Sequence, residues 1–156
     1  MSFGFSVGDF IAAANLIARV ISSLSEAGGS NVQYQRLSVD LHTLSSTLRQ
    51  VDRLEAVDGL EATVNAIKAA ALSCQLPLRE FLESIGEYDK FLGLGSSTGV
   101  MKDVLYKLKW LATKKLEASM KLRAEVTAYL GSISLLFGLY QVYVYSHSRS
   151  RDETEY

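Results

Sequence analysis

MSFGFSVGDFIAAANLIARVISSL, residues 1–24, is an apolar, charge-poor head that runs into an amphipathic helix. Phe10, Ala13, Ala14, Ile17, Val20, Ile21 and Leu24 recur at the i, i+3, i+4, i+7 spacing that collects side chains on one helical face. Asp9, Asn15, Arg19, Ser22, Ser23 and Glu26 fall on the other. Such a stripe has two uses: it closes the core of a helical bundle, or it leaves that core and lies on a lipid surface. Ser6 stands where an N-cap is needed, and Asp9, three residues on, is the acidic partner of a capping box. Gly28-Gly29 supplies the stop, because glycine tolerates the left-handed conformation that ends a helix.

Working outward, Ser30 is placed to cap a second helix with the stripe Tyr34, Leu37, Leu41, Leu44, Leu48 and Val51, a seam of alternating three and four steps. Asp58 and Glu61 form the capping pair of a third. Its stripe reads Leu60, Val64, Ile67, Ala71, Cys74, Leu78, Phe81, Leu82, Ile85, Tyr88 and Leu92. The phase is kept across Pro77, the only proline, which predicts one long helix kinked there; two shorter helices sharing a direction are the alternative. Gly93–Gly99 reads as a loop. A fourth, shorter helix is expected from Val100 to Ala112, with Met101, Val104, Leu105, Leu108 and Leu111 on one side, and Lys114-Lys115 marks a break. The fifth carries Leu116, Met120, Val126, Leu130, Ile133, Phe137, Tyr140 and Val144. Leu135, Leu136, Leu139, Val142 and Tyr143 fill its other face, so its second half is apolar all round. From Val126 to Ser148 no Asp, Glu, Lys or Arg occurs. That length could span a bilayer, but Thr127, Gly131, Ser132, Ser134, Gly138 and Gln141 dilute it, and the expectation is a buried central helix. The fold class is therefore all-α, an antiparallel bundle of four to five helices over residues 1–146, with 147–156 a polar tail or the start of a linker.

With 156 residues, 48% hydrophobic and 21% charged, the chain is long enough to bury a core without disulfides. A net charge of −1 offers no global basic excess for nucleic acid. Cys74 is the only cysteine, which excludes an intrachain disulfide and fits a reducing compartment. The head lacks the basic n-region of a secretory signal, and Ser2 stands where myristoylation requires glycine.

Enzymatic constellations are absent from the pattern. His42 lies off the second stripe, His147 sits in the tail, and Cys74 lies inside an apolar stripe without a basic neighbour to stabilise a thiolate. The 93–99 glycines lack the Gly-Lys-Ser/Thr ending of a phosphate loop and follow a helix rather than a strand. No cofactor or metal is expected. The one chemically biased segment is Lys102–Arg123, where seven basic residues face Asp103 and Glu117 for a local excess of five positive charges. Lys102, Lys107, Lys109, Lys114 and Lys115 with Trp110 among them make the pattern that anionic lipid headgroups attract; the alternative is a solvated bundle face with the tryptophan packed on lysine stems.

The opening Met1–Ile11, with Tyr34-Gln35-Arg36-Leu37, Leu41 and Leu44, then Phe81–Leu92 and Lys107-Leu108-Lys109-Trp110, resembles the helical N-terminal domains of multidomain proteins of filamentous fungi, NOD-like receptors included. Those domains are similar in layout to the HeLo and HeLo-like cell-death bundles. The resemblance covers most of the chain, and its specific part is the opening motif. It implies a non-enzymatic effector domain, cytoplasmic and conditionally recruited to membrane, that oligomerises with itself to trigger cell death. On that resemblance Phe3, Phe5, Val7, Phe10, Ile11, Ile17 and Ile21 belong to a membrane-inserting element. The alternative function is an adaptor bundle that pairs with another helical signalling domain and never inserts, for which the long heptad seams suffice.

Overall fold

Of the expected seams, the second is the most regular, and all six of its residues are buried. In the computed structural model, which describes residues 4–27, 30–93 and 101–152, the chain forms five helices and, among those residues, no strand. They are α1 (Val7–Glu26), α2 (Val32–Asp52), α3 (Glu61–Leu72), α4 (Gln75–Gly93) and α5 (Met101–Asp152). The all-α bundle read from the sequence is the fold of the chain.

The first cap forms as expected. The Asp9 carboxylate accepts from the Ser6 N–H at 2.8 Å and from the Ser6 hydroxyl at 3.0 Å, tying the chain entry to the first turn of α1. Replacing Asp9 by alanine is expected to lower stability by about 1 kcal/mol, read as a shift in urea midpoint at unchanged slope. The second cap moves by one residue: Asn31, not Ser30, caps α2, its Oδ1 accepting from the Gln33 N–H at 2.8 Å. Both side chains suit the role, but only Asn31 adjoins the first helical residue. Asp58 does not cap α3. Residues Val57–Leu60 close a turn, the Leu60 N–H bonded to the Val57 carbonyl at 2.8 Å, with Gly59 at a φ of 86°. Leu60 becomes the N-cap, and Glu61 turns its carboxylate back to the Gly59 N–H at 3.3 Å.

The break in the third segment falls at Ser73-Cys74, ahead of Pro77. Pro77 thus occupies the first turn of α4, where an N–H would lack an intrahelical acceptor in any case. The Ser73 carbonyl, denied its i+4 donor, accepts instead from the Leu76 N–H at 3.4 Å. Of the two arrangements open from the sequence, the chain adopts two helices. Their stripe keeps phase across the break: Ile67, Ala71, Cys74, Leu78, Phe81 and Ile85 are all buried.

The expected break at Lys114-Lys115 does not exist. α5 is one helix of 52 residues, about 78 Å long at 1.5 Å per residue. It also continues through the polar segment after Ser146, to Asp152. Lysine is a good helix former, and no glycine or proline interrupts 101–130. Among the described side chains of the expected stripe of its first part, Leu111 is buried while Leu105 and Leu108 are exposed, as is Met120 further on. The gap left by Met120 is filled by Leu122 and by Ser119, whose hydroxyl satisfies itself on the Lys115 carbonyl at 2.8 Å.

α2 packs on α1, α3 and α5, while α4 packs on α1 and α5. The short connections of α2 to α1 and α3 reverse the chain, as an antiparallel bundle requires. α2 and α5, by contrast, run the same way. Asp40 pairs with Arg123 at 2.8 Å, and further along α5 the Tyr140 hydroxyl donates at 3.0 Å to the carbonyl of Glu55, just past the end of α2. α5 therefore extends past α2 at both ends.

Gly28-Gly29, Phe3 and the loop after Gly93 lie outside the described residues, as do the side chains of Tyr88, Leu92, Met101, Lys102 and Val104.

Candidate functional site

α1 does not present its candidate inserting residues on one free surface. Phe10 and Ile17 belong to the core, with Ala13, Leu16, Val20 and Leu24 beside them. Phe5 and Ile21 are partly covered, and among the described candidates Val7 and Ile11 stand exposed. α1 thus has a buried stripe facing α2 and α4, and a small apolar shoulder at its first turns. Burial of five or six such side chains is worth on the order of 10 kcal/mol.

The basic group spreads along nearly four turns of α5. Lys107, Lys109 and Trp110 are exposed, Trp110 at 44%, on the part of α5 that extends past α2. Lys114 and Lys115 are half-buried where α5 enters it. Lys114 Nζ lies 2.9 Å from the Glu117 carboxylate, and the Lys115 ammonium acts on the buried phenol of Tyr34. Burial pushes the Tyr34 pKa up and the Lys115 charge opposes that shift. The sequence-predicted cluster therefore divides into an exposed tip and two lysines engaged with the bundle.

The larger exposed apolar surface lies at the other end of α5, and it corrects the expectation of a helix buried all round. Val126 and Ile133 are fully buried, and Leu130, Phe137 and Tyr140 pack against the core. On the opposite face Leu135 is 67% exposed, Val142 68% and Tyr145 73%, with Leu139 and Tyr143 also more than half exposed. Monomeric surfaces seldom present contiguous apolar side chains on this scale without a partner. Gly131 and Gly138 lie on the same outward face, and a Cβ added at either would meet nothing within 4 Å. Each costs the helix about 1 kcal/mol relative to alanine, and nothing within the bundle requires the missing side chain. Periodicity hides this face, because both sides of the helix carry apolar residues at heptad spacing; only burial separates them.

α1 and the 105–150 part of α5 are both long and apolar enough to cross a membrane by length and composition, with mean hydropathies of 1.4 and 1.2. Core helices of soluble bundles pass the same test. The two differ in packing: 33% of the α1 window is buried against 17% of that in α5.

Little else on the surface has chemical character. His42 and His147 are exposed, on α2 and near the C-terminal end of α5. Among the described residues no three His, Cys, Asp or Glu side chains group as a metal site would. The open cleft of about 450 Å³ between α4 and α5 interleaves Glu80, Glu117 and Glu125 with Lys114 and Lys121, and Ser84 on its lining donates its hydroxyl to the Phe81 carbonyl at 2.8 Å. Cys74 is buried in the core, and desolvation pushes its thiol up to about 12. The folded protein at pH 8 is expected to react with an aromatic disulfide reagent at least 100-fold more slowly than the denatured chain, followed by thiolate release at 412 nm. Because the folded-state pKa is raised, the contribution of the neutral thiol is complete below the unfolded value near 9 and is lost as pH rises toward 12.

Comparison with protein families, with characterised proteins and with solved structures finds no match to this chain.

Proposed function

We propose that this chain is a non-enzymatic signalling or effector domain, a helical bundle that acts by associating with itself and engaging an anionic membrane. The outward face of α5 is the observation that carries the reading. A bundle that has already closed its core leaves Leu135, Leu139, Val142, Tyr143 and Tyr145 uncovered along one helix. The basic, tryptophan-bearing stretch at Lys107, Lys109 and Trp110 adds attraction for anionic headgroups, worth about 1 kcal/mol per lysine near the surface. The resemblance of Met1–Ile11 to the helical N-terminal domains of fungal multidomain proteins, themselves similar in layout to HeLo-like domains, extends the proposal to cell-death execution in a fungal immune or incompatibility protein, cytoplasmic at rest.

In this mechanism α1 stays docked until the oligomer forms. Undocking costs on the order of 10 kcal/mol by its buried area, so contacts made only in the assembled state must supply that difference. Flotation with vesicles tests the membrane step. The protein is expected to float with phosphatidylserine-containing vesicles and not with phosphatidylcholine alone, and Lys107→Glu with Lys109→Glu is expected to weaken binding at least 10-fold. Equal recovery with both vesicle types, or none with either, ends the membrane claim.

The burial of Phe10, Ala13, Ile17, Val20 and Leu24 favours a second reading, an adaptor that pairs with helical domains while α1 remains in the core. Self-association without vesicle binding selects it.

A further inference from the structure

We propose that the outward face of α5 pairs with the same face of a second copy, antiparallel, about a two-fold axis that passes beside Ile133. The inference rests on the self-association in the reading above and specifies its surface and register.

The seam begins at Glu117 and continues through Lys121, Ala124, Ala128, Gly131, Leu135, Gly138, Val142 and Tyr145 to Arg149. Its steps are alternately four and three, the heptad pattern by which one helix meets another. All ten residues are exposed, opposite the core stripe of Leu122, Val126 and Ile133, and the first two, Glu117 and Lys121, also line the open α4–α5 cleft. A lipid surface needs apolar area but no such spacing. A helix partner needs both.

The residue order argues for a second copy. In antiparallel heptad pairing each a-type position faces a d-type position of the partner helix. With the axis beside Ile133, Gly131 faces Leu135, Ala128 faces Gly138 and Ala124 faces Val142, and the two-fold repeats each pair on the other side. Every larger side chain of this central stretch meets a small one. That accounts for glycines the monomer does not use, since a Cβ at Gly131 or Gly138 meets nothing within 4 Å. In the same register Lys121 faces the Tyr145 ring, and at each end the Glu117 carboxylate faces the Arg149 guanidinium. Charge and volume are thus self-complementary in one register. Residues 117–149 span about 48 Å of helix, and the exposed Leu135, Leu139, Val142, Tyr143 and Tyr145 suit an interface of roughly the 800 Å² per partner that stable complexes bury.

Sedimentation equilibrium of the full chain across micromolar concentrations is expected to show a monomer–dimer equilibrium. Gly131→Leu fills the space that Leu135 of the second copy would use and disturbs nothing within the bundle, so it is expected to raise the dimer Kd at least 100-fold with the circular dichroism unchanged. Glu117→Arg and Arg149→Glu are each expected to raise Kd about 10-fold, and the double variant to restore it, which reads out the register. A dimer insensitive to Gly131→Leu overturns the seam and leaves the proposed self-association standing on another surface. A chain monomeric at every concentration overturns both. If that monomer floats with vesicles and Leu135→Glu abolishes flotation, lipid rather than a second copy covers the face, and the seam is overturned on that ground.

Discussion

Replacing Ile17 by glutamate is expected to unfold the whole domain, not to free α1 from an intact remainder. Ile17 is 1% exposed at the centre of a stripe in which Ala13 and Val20 are completely covered. Truncating such a side chain to alanine costs about 2–5 kcal/mol, and a carboxylate in the same place adds the penalty of an unpaired buried charge. A domain of this size has roughly 5–15 kcal/mol to lose. α1 contacts α2, α3 and α4, so its loss exposes the inner surface of three other helices. Urea denaturation followed at 222 nm gives the result directly: a midpoint near zero denaturant for Ile17→Glu, against a change within about 0.5 kcal/mol for Val7→Glu or Ile11→Glu on the exposed shoulder. A separately detachable α1 predicts something else, a cooperative transition retained by the remainder with α1 amides exchanging first.

The second large effect sets two neighbouring positions of α5 against each other. Ile133 is fully buried and Leu135 is 67% exposed, two residues and about half a helical turn apart. Ile133→Ala is expected to destabilise the protein by about 2–5 kcal/mol through the cavity it leaves, with little direct effect on surface contacts. Leu135→Ala is expected to leave the monomer within about 0.5 kcal/mol and to act on association instead. Thermal melts measured below the dimer Kd separate the two, because mass action then contributes nothing to apparent stability. Comparable melting temperatures for the two variants would mean that α5 does not carry two independent faces.

The sequence was most legible where one face of a helix was apolar and the other was not. The stripe Tyr34, Leu37, Leu41, Leu44, Leu48, Val51 is the core of α2 residue for residue, and the Ser6–Asp9 cap forms with the expected partners. The α3–α4 stripe kept its phase through a break, since packing depends on which side a residue faces and not on an unbroken ladder of hydrogen bonds. α5 was harder to read for two reasons. Its core seam passes through Lys115 and Ser119, so apolar periodicity lapses where the helix itself does not. Further along, both faces are apolar, and composition alone could not say which of them the bundle leaves uncovered. The candidate inserting set carries a related ambiguity: the stripe that marks a lipid-binding helix also marks a core helix, and in this fold Phe10 and Ile17 lie in the core.

The length of α5 has a mechanical consequence. The bundle grips it from Leu111 to Tyr140, with the Arg123–Asp40 ion pair near the middle of the rod, and the helix continues beyond that span in both directions. A tilt of about 10° about its midpoint would carry each tip roughly 7 Å and Leu111 about 4 Å, enough to break the packing there, so the gripped span holds the direction of the rod fixed.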